Sequence, residues 1–201
     1  LLIDAQPIFW DYAFPDTAPQ KEAVMVRMEH LLMLSGWMDL PVIATFEHPV
    51  SENGELPDRL EAVFPAKGQR YTKKTFNCTS EPEIKAAIKG LAVKQIAVSG
   101  AETDVCIMQS VLGLLQMDYH VFLLEDCLFT TEHHPAPVLR RMYQAGAIPC
   151  TLKSLSYELV KSVTKTPWYP PVWDDENRTN TRPFPEKFVA PEEWPSWEPK
   201  L

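Results

Sequence analysis

The chain of 201 residues lacks any apolar run that approaches the roughly 20 residues of a membrane-spanning helix. It also lacks a charged-then-apolar leader, so we expect no secretory signal. Basic residues are fewer than acidic ones, the net charge is −8, and no basic stripe suits a phosphate backbone. We therefore expect neither a membrane nor a nucleic acid as a partner.

Cysteine is scarce. The chain contains no Cys-x-x-Cys pair and no zinc-finger spacing among its four cysteines, which are Cys78, Cys106, Cys127 and Cys150. A few widely spaced cysteines in a chain of this length are typical of a reducing compartment, so the sequence predicts a cytoplasmic protein.

Apolar runs of strand length alternate with segments of helical periodicity up to about residue 163. We predict strands at 1–3, 41–46, 69–73, 95–98, 120–124 and 147–152. We predict helices at 21–34, 82–89, 105–117, 136–144 and 154–163. This alternation indicates an α/β fold with three layers, α/β/α, around a mostly parallel central sheet.

The composition changes near residue 164, where proline and tryptophan become dense. Closely spaced prolines exclude helix and sheet interiors, whereas disordered tails are usually poor in aromatic residues. We predict one domain at 1–163 and an extended C-terminal arm at 164–201 that packs on this domain or on a neighbouring subunit. The alternative is a flexible tail with incidental tryptophans.

One segment indicates chemistry. A predicted strand runs into Gly100, and a short polar turn then delivers Cys106 into an apolar run of helical length. The first N–H groups of a helix have no partners within it, and together with the helix dipole they favour an anion. A thiolate at such a position is stabilised, so the segment predicts an activated cysteine nucleophile.

Two further reactive residues follow predicted strands, namely Asp4 and Lys74. In open parallel sheets, ligands bind beyond the carboxyl ends of the strands, where these side chains and Cys106 would meet. The carboxylate would take the thiol proton, the lysine would favour both anions, and N–H groups at the helix start would hold an oxyanion. The alternatives are a loop-capping aspartate, a solvated lysine and an inert core thiol.

These residues resemble the isochorismatase-like cysteine hydrolases, a superfamily that includes nicotinamidases and N-carbamoyl amidohydrolases. The resemblance rests on Asp4-x-Gln6, Lys74-Thr75-Phe76, Gly100-x-x-Thr103-Asp104-x-Cys106 and Glu125-Asp126. It implies that Cys106 is the nucleophile, Asp4 the general base and later acid, and Lys74 the charge that orients them. It also implies a cis peptide bond between Ala101 and Glu102, which would aim the N–H groups of Glu102 and Cys106 at the oxyanion.

We assign the substrate pocket to aromatic and polar residues near the same edge of the sheet, namely Gln6, Phe9, Trp10, Phe76 and His48. His48 matches one metal ligand of the metal-dependent nicotinamidases. Phe46 stands where their aspartate would be, and residues 50–73 contain no histidine. We therefore predict no metal and no cofactor.

The retained cysteine favours acyl chemistry. We predict a metal-independent cysteine hydrolase that cleaves a C–N bond of a small amide or carbamoyl compound through a thioester. The alternatives are a nicotinamidase, an isochorismatase-type vinyl-ether hydrolase, or a catalytically silent ligand-binding or assembly subunit. The run at 105–117 is apolar on most faces, which indicates burial in the core or at a subunit interface. The resemblance implies a homo-oligomer, whether a dimer, a tetramer or a larger ring.

Overall fold

The computed structural model describes residues 1–14 and 19–161, and the predicted arm at 164–201 lies outside them. Six parallel strands form one sheet in the order β3-β2-β1-β4-β5-β6. The strands are β1 Leu2–Ile3, β2 Ile43–Glu47, β3 Gln69–Lys73, β4 Gln95–Gly100, β5 His120–Leu128 and β6 Ile148–Cys150. The predicted parallel α/β fold is confirmed.

Helices connect these strands. They are α1 Pro7–Ala13, α2 Pro19–Trp37, α3 Val50–Asn53, α4 Asp58–Ala62, α5 Pro82–Gly90, α6 Met108–Gln116, α7 Ala136–Gln144 and α8 Leu152–Val160. Helices α1, α3 and α4 are additional to the predicted ones, because seven, four and five residues are too few to establish a helical period. Among the described helices, none combines the length and apolar character needed to cross a bilayer.

The sheet is covered on both faces, because neighbouring strand residues point in opposite directions. Leu2 joins a core with α2, α4 and α8, whereas Ile3 joins a second core with α5, α6 and α7. The same alternation along β5 places Leu123 in the second core and Leu124 in the first. The predicted three layers follow from this pattern.

The start of α6 differs from the prediction. The predicted helix begins at residue 105, but the chain first makes one wide turn at Thr103–Ile107. The N–H of Ile107 donates to the carbonyl of Glu102, five residues earlier, and regular α-helix follows from Met108. Cys106 lies in this wide turn, just ahead of the α-helix.

Candidate active site

The carboxyl ends of four neighbouring strands form the site. Asp4 follows β1, Glu47 ends β2, Lys73 ends β3, and Cys106 lies in the turn after β4. In the strand order, β1 lies between β2 and β4, so the chain continues to opposite sides of the sheet from this point. Ligands in open parallel sheets bind at such a reversal of strand order.

Three buried groups meet there. The ammonium of Lys73 lies 2.6 Å from Asp4 Oδ2 and donates a hydrogen bond to Cys106 Sγ at 3.3 Å. The side chains of Asp4 and Lys73 have no exposed surface, and Cys106 is 3% exposed. The lysine therefore bridges a carboxylate and a thiol in a site from which water is largely excluded.

Lys74, predicted to complete this cluster, is exposed, and the prediction is wrong about which lysine enters the site. The alternation of side chains along β3 explains why Lys73 and not Lys74 enters the site. Tyr71 and Lys73 share the face of the strand that is directed to the second core. Lys74 lies beyond the strand, where its backbone N–H donates to the carboxylate of Glu81.

Two residues of β2 complete the surroundings of the cluster, and neither was predicted as a member. The hydroxyl of Thr45 is buried and donates to Asp4 Oδ1 at 2.9 Å. The carboxylate of Glu47 lies 3.4 Å from Cys106 Sγ and 3.7 Å from Lys73 Nζ. The period of two along β2 places both side chains on one face, which was the available sequence signal.

Burial raises the pKa of the Cys106 thiol well above its usual range, and the negative charge of Asp4 raises this pKa further. Lys73 opposes the shift without cancelling it. Burial likewise raises the pKa of the Asp4 carboxyl, while Lys73 and Thr45 act against that rise. This direction, with burial as its main cause, favours the neutral thiol in the free protein, and activation of Cys106 as a thiolate stays a prediction.

The peptide bond between Ala101 and Glu102 is not cis, contrary to prediction, and the cis bond among the described residues is His48–Pro49. Gly100 makes the change of direction after β4, with φ +123, a conformation that L side chains rarely adopt. The N–H of Thr103 then donates to the carbonyl of Phe129 at 3.2 Å. The oxyanion assignment to Ala101, Glu102 and Cys106 stays a prediction.

The predicted pocket residues fall into different environments. Trp10 belongs to the core, where its ring stacks on Phe129 with centroids 4.1 Å apart, and Phe9 packs half-buried against the same core. Gln6 is buried and forms hydrogen bonds with the backbone of Glu47 in β2 and of Gly54, and its contact with a substrate stays a prediction. Phe76 is 52% exposed and His48 is exposed, so contact of either with a substrate stays a prediction.

Comparison with known proteins identifies the family. The model of the isochorismatase domain matches residues 1–154. The chain belongs to the isochorismatase family.

The relatives of this isochorismatase-family protein are distant. Isochorismatase family protein 1A of Dictyostelium discoideum is 27% identical over 143 residues, which cover 69% of this chain and 68% of that protein. The crystal structure of the Escherichia coli YcaC gene product, described as an octameric hydrolase of unknown specificity, has a TM-score of 0.72. It is 25% identical, with 80% of this chain and 78% of that chain covered. The family to which this chain belongs therefore includes hydrolases.

A pyrazinamidase/nicotinamidase from Streptococcus mutans shares the fold, with a TM-score of 0.62 at 12% identity over 74% of this chain and 97% of that chain. The donor atoms of Asp4, Glu47 and Cys106 lie within 4.8 Å of one another, close enough for a shared metal ion. However, the Lys73 ammonium already contacts all three groups, and its charge opposes a second cation there. Phe46 is buried in the core and His48 is exposed, so the residues present do not fit a divalent metal site.

Proposed function

We propose that this protein is a metal-independent cysteine hydrolase that cleaves a C–N bond of a small amide or carbamoyl compound through a thioester on Cys106. The observation that carries the proposal is the buried contact of Lys73 with both Asp4 and Cys106. A thiol, a base and a fixed cation in mutual contact are the groups that acyl transfer by a cysteine requires.

The proposed reaction starts with a proton on Cys106 and with Asp4 ionised. The Cys106 proton passes to Asp4 as Sγ attacks the carbonyl carbon, which forms the S–C bond and an oxyanion. Asp4 then gives this proton to the nitrogen as the C–N bond breaks, and ammonia or an amine leaves. A water molecule attacks the thioester while Asp4 accepts a proton from it. The S–C bond then breaks, the acid product leaves, and Asp4 returns its proton to the sulfur to restore the thiol.

Lys73 supports these steps without transferring a proton. Burial acts to lower its pKa, but the negative charge of Asp4, that of Cys106 when the thiol is ionised, and the hydrogen bonds to both outweigh burial, so the pKa is raised. The permanent ammonium stabilises whichever of its two neighbours is negative, so the negative charge moves between the carboxylate and the sulfur beside a constant countercharge.

Two further proposals concern the protein as a whole. The likeness to the octameric YcaC protein supports a homo-oligomer, which light scattering tests, and a monomeric mass would contradict it.

All four cysteines are free, which supports the expected reducing, cytoplasmic compartment.

An ammonia-release screen tests the reaction. Wild type and Cys106→Ala are assayed on small amides, carbamoyl compounds and nicotinamide, with Cys150→Ala as the matched control from β6. We expect wild type and Cys150→Ala to release ammonia from at least one amide or carbamoyl compound, and Cys106→Ala to release none. Activity on nicotinamide alone would favour a nicotinamidase, and an inactive wild type would favour a silent binding subunit.

A further inference from the structure

Glu47 has an unusually well-fixed backbone. Its N–H donates to the side-chain oxygen of Gln6 at 2.6 Å, and its carbonyl accepts from the amide nitrogens of Gln6 at 3.2 Å and Asn53 at 3.1 Å. Two side-chain amides therefore fix the point from which the Glu47 side chain extends toward Cys106. A carboxylate held in this way has a defined position relative to the sulfur.

Glu47 is also the carboxylate that solvent reaches. The side chains of Asp4 and Lys73 are 0% exposed, whereas that of Glu47 is 26% exposed, and its Oε2 lies 3.4 Å from Cys106 Sγ. Among the three charged residues of the cluster, Glu47 is therefore the one whose side chain a molecule in solvent can contact directly. This position suits a group that contacts part of the substrate when the substrate binds.

The charge of Glu47 is incompletely neutralised within the cluster. Lys73 Nζ lies 2.6 Å from Asp4 but 3.7 Å from Glu47, which is beyond normal hydrogen-bond distance. Glu47 is accordingly among the charges that raise the pKa of Cys106, after burial and Asp4. Glu47 Oε2 accepts a hydrogen bond from Cys106 Sγ, and its neighbouring cation, Lys73, lies closer to Asp4, so a partly neutralised negative charge lies beside the sulfur.

We propose that Glu47 is the specificity-determining residue of this site, which binds N–H donors or a cationic group of the substrate and rejects a carboxylate beside the reacting carbon. This inference rests on the proposed function and narrows its substrate class. Carbamoyl compounds and amides with N–H groups next to the reacting carbonyl fit, and so do substrates with a cationic nitrogen near it. Neutralisation of Glu47 by such a group also favours the thiolate, so the correct substrate promotes its own attack.

The test uses two thiol reagents of the same size and opposite charge. Aminoethyl methanethiosulfonate is a cation and sulfonatoethyl methanethiosulfonate is an anion, and each forms a disulfide with Cys106 as a sulfinate leaves. Their rates at Cys106 are measured by peptide mass at low ionic strength, and each is divided by the rate with a free thiol. The proteins are wild type, Glu47→Gln, Glu47→Asp and the exposed control Glu52→Gln, whose residue lies in α3.

We expect wild type to prefer the cation over the anion by about 30-fold or more, because the carboxylates of Asp4 and Glu47 outnumber the single ammonium of Lys73 beside the sulfur. Glu47→Gln should lower this preference at least tenfold, Glu47→Asp should keep most of it, and Glu52→Gln should match wild type within a factor of two. Turnover of a carbamoyl substrate by Glu47→Gln should fall mainly through a higher KM. An equal preference in wild type and Glu47→Gln would overturn the inference, as would a wild-type ratio equal to that of the free thiol.

The reagent ratio does not depend on turnover, so the two proposals fail separately. Ammonia release by Cys106→Ala would overturn the proposed reaction while the reagent ratio still reports on Glu47. Conversely, a ratio unaffected by Glu47→Gln would leave Cys106 as the nucleophile and remove only the assignment of specificity.

Discussion

Lys73 Nζ and Asp4 Oδ2 lie 2.6 Å apart, and neither side chain has any exposed surface. A buried ion pair is a poor source of stability, because desolvation offsets most of its attraction. Loss of one partner is different, since it leaves an uncompensated charge in the protein interior. The fold can therefore tolerate replacement of both residues by apolar ones, whereas replacement of Lys73 or Asp4 alone lowers the free energy of unfolding.

Lys73→Met should therefore lower both activity and stability. We expect the free energy of unfolding to fall by about 3–5 kcal/mol, because Asp4 loses its countercharge, and kcat/KM to fall by about a thousandfold or more. Urea denaturation and the ammonia assay measure the two effects. Lys74→Met is the matched control, and it should change the free energy of unfolding by no more than about 0.5 kcal/mol. Equal loss of activity in both variants would contradict the assignment of Lys73.

Cys106 should react slowly with iodoacetamide at neutral pH. Because the pKa of its thiol is raised, the thiolate fraction should increase about tenfold per pH unit from pH 7 to 9, where a free thiol already levels off near 8.5. Peptide mass after timed alkylation gives the rate at each pH. A plateau below pH 8 would show a lowered pKa and contradict the neutral-thiol site.

The sequence was sufficient for the sheet, because the apolar runs at 41–46 and 95–98 have strand length and the helix at 136–144 ends just before Gly146. It also located the thiol and Asp4, both of which follow strands. The choice of Lys74 over Lys73 was an error of side-chain direction. Counting alternate residues forward from Tyr71 would have placed Lys73 inward.

Other parts of the site depend on contacts that no local pattern contains. Glu47 lies beside Lys73 because β2 pairs with β3 in the register that sets the two residues opposite each other. Gln6, 41 residues away, fixes its backbone. The raised pKa of Cys106 follows from burial by several elements together, so the helix N-terminus alone predicted the opposite sign.

Thr45→Val should shift the pH dependence of activity. The Thr45 hydroxyl donates to Asp4 and lowers the pKa of that carboxyl, so its removal raises this pKa. Because the general base must be ionised, the acidic limb of the kcat/KM profile should move to higher pH. The free energy of unfolding should fall by about 1.5–3 kcal/mol, as for hydrogen bonds to charged groups.

Thr72→Val is the control for this substitution, because Thr72 is an exposed residue of β3. Its acidic limb should coincide with that of wild type. If the limb stays in place in Thr45→Val while stability falls, the hydroxyl contributes to the fold alone and Asp4 is not the base that the profile reports.

Gly100→Ala should disrupt the turn that leads to Cys106. A Cβ at this position would lie 1.8 Å from the carbonyl oxygen of Ile3, and φ is +123, so neither the space nor the backbone accepts a side chain. The carbonyl of Ile3 also accepts from the N–H of Ala101 at 2.9 Å, which prevents it from moving away without the loss of a hydrogen bond. We expect a loss of about 4 kcal/mol or more in the free energy of unfolding.

Gly90→Ala is the matched control for this loss. Gly90 ends α5, and a Cβ there would have no atom within 4 Å. Alanine restricts the unfolded chain, so this variant should gain up to about 1 kcal/mol. Urea denaturation of the two variants would thus give changes of opposite sign. A small loss in Gly100→Ala would mean that β1 and the turn after β4 separate more easily than their close contact implies, and that Cys106 is held less rigidly beside Lys73.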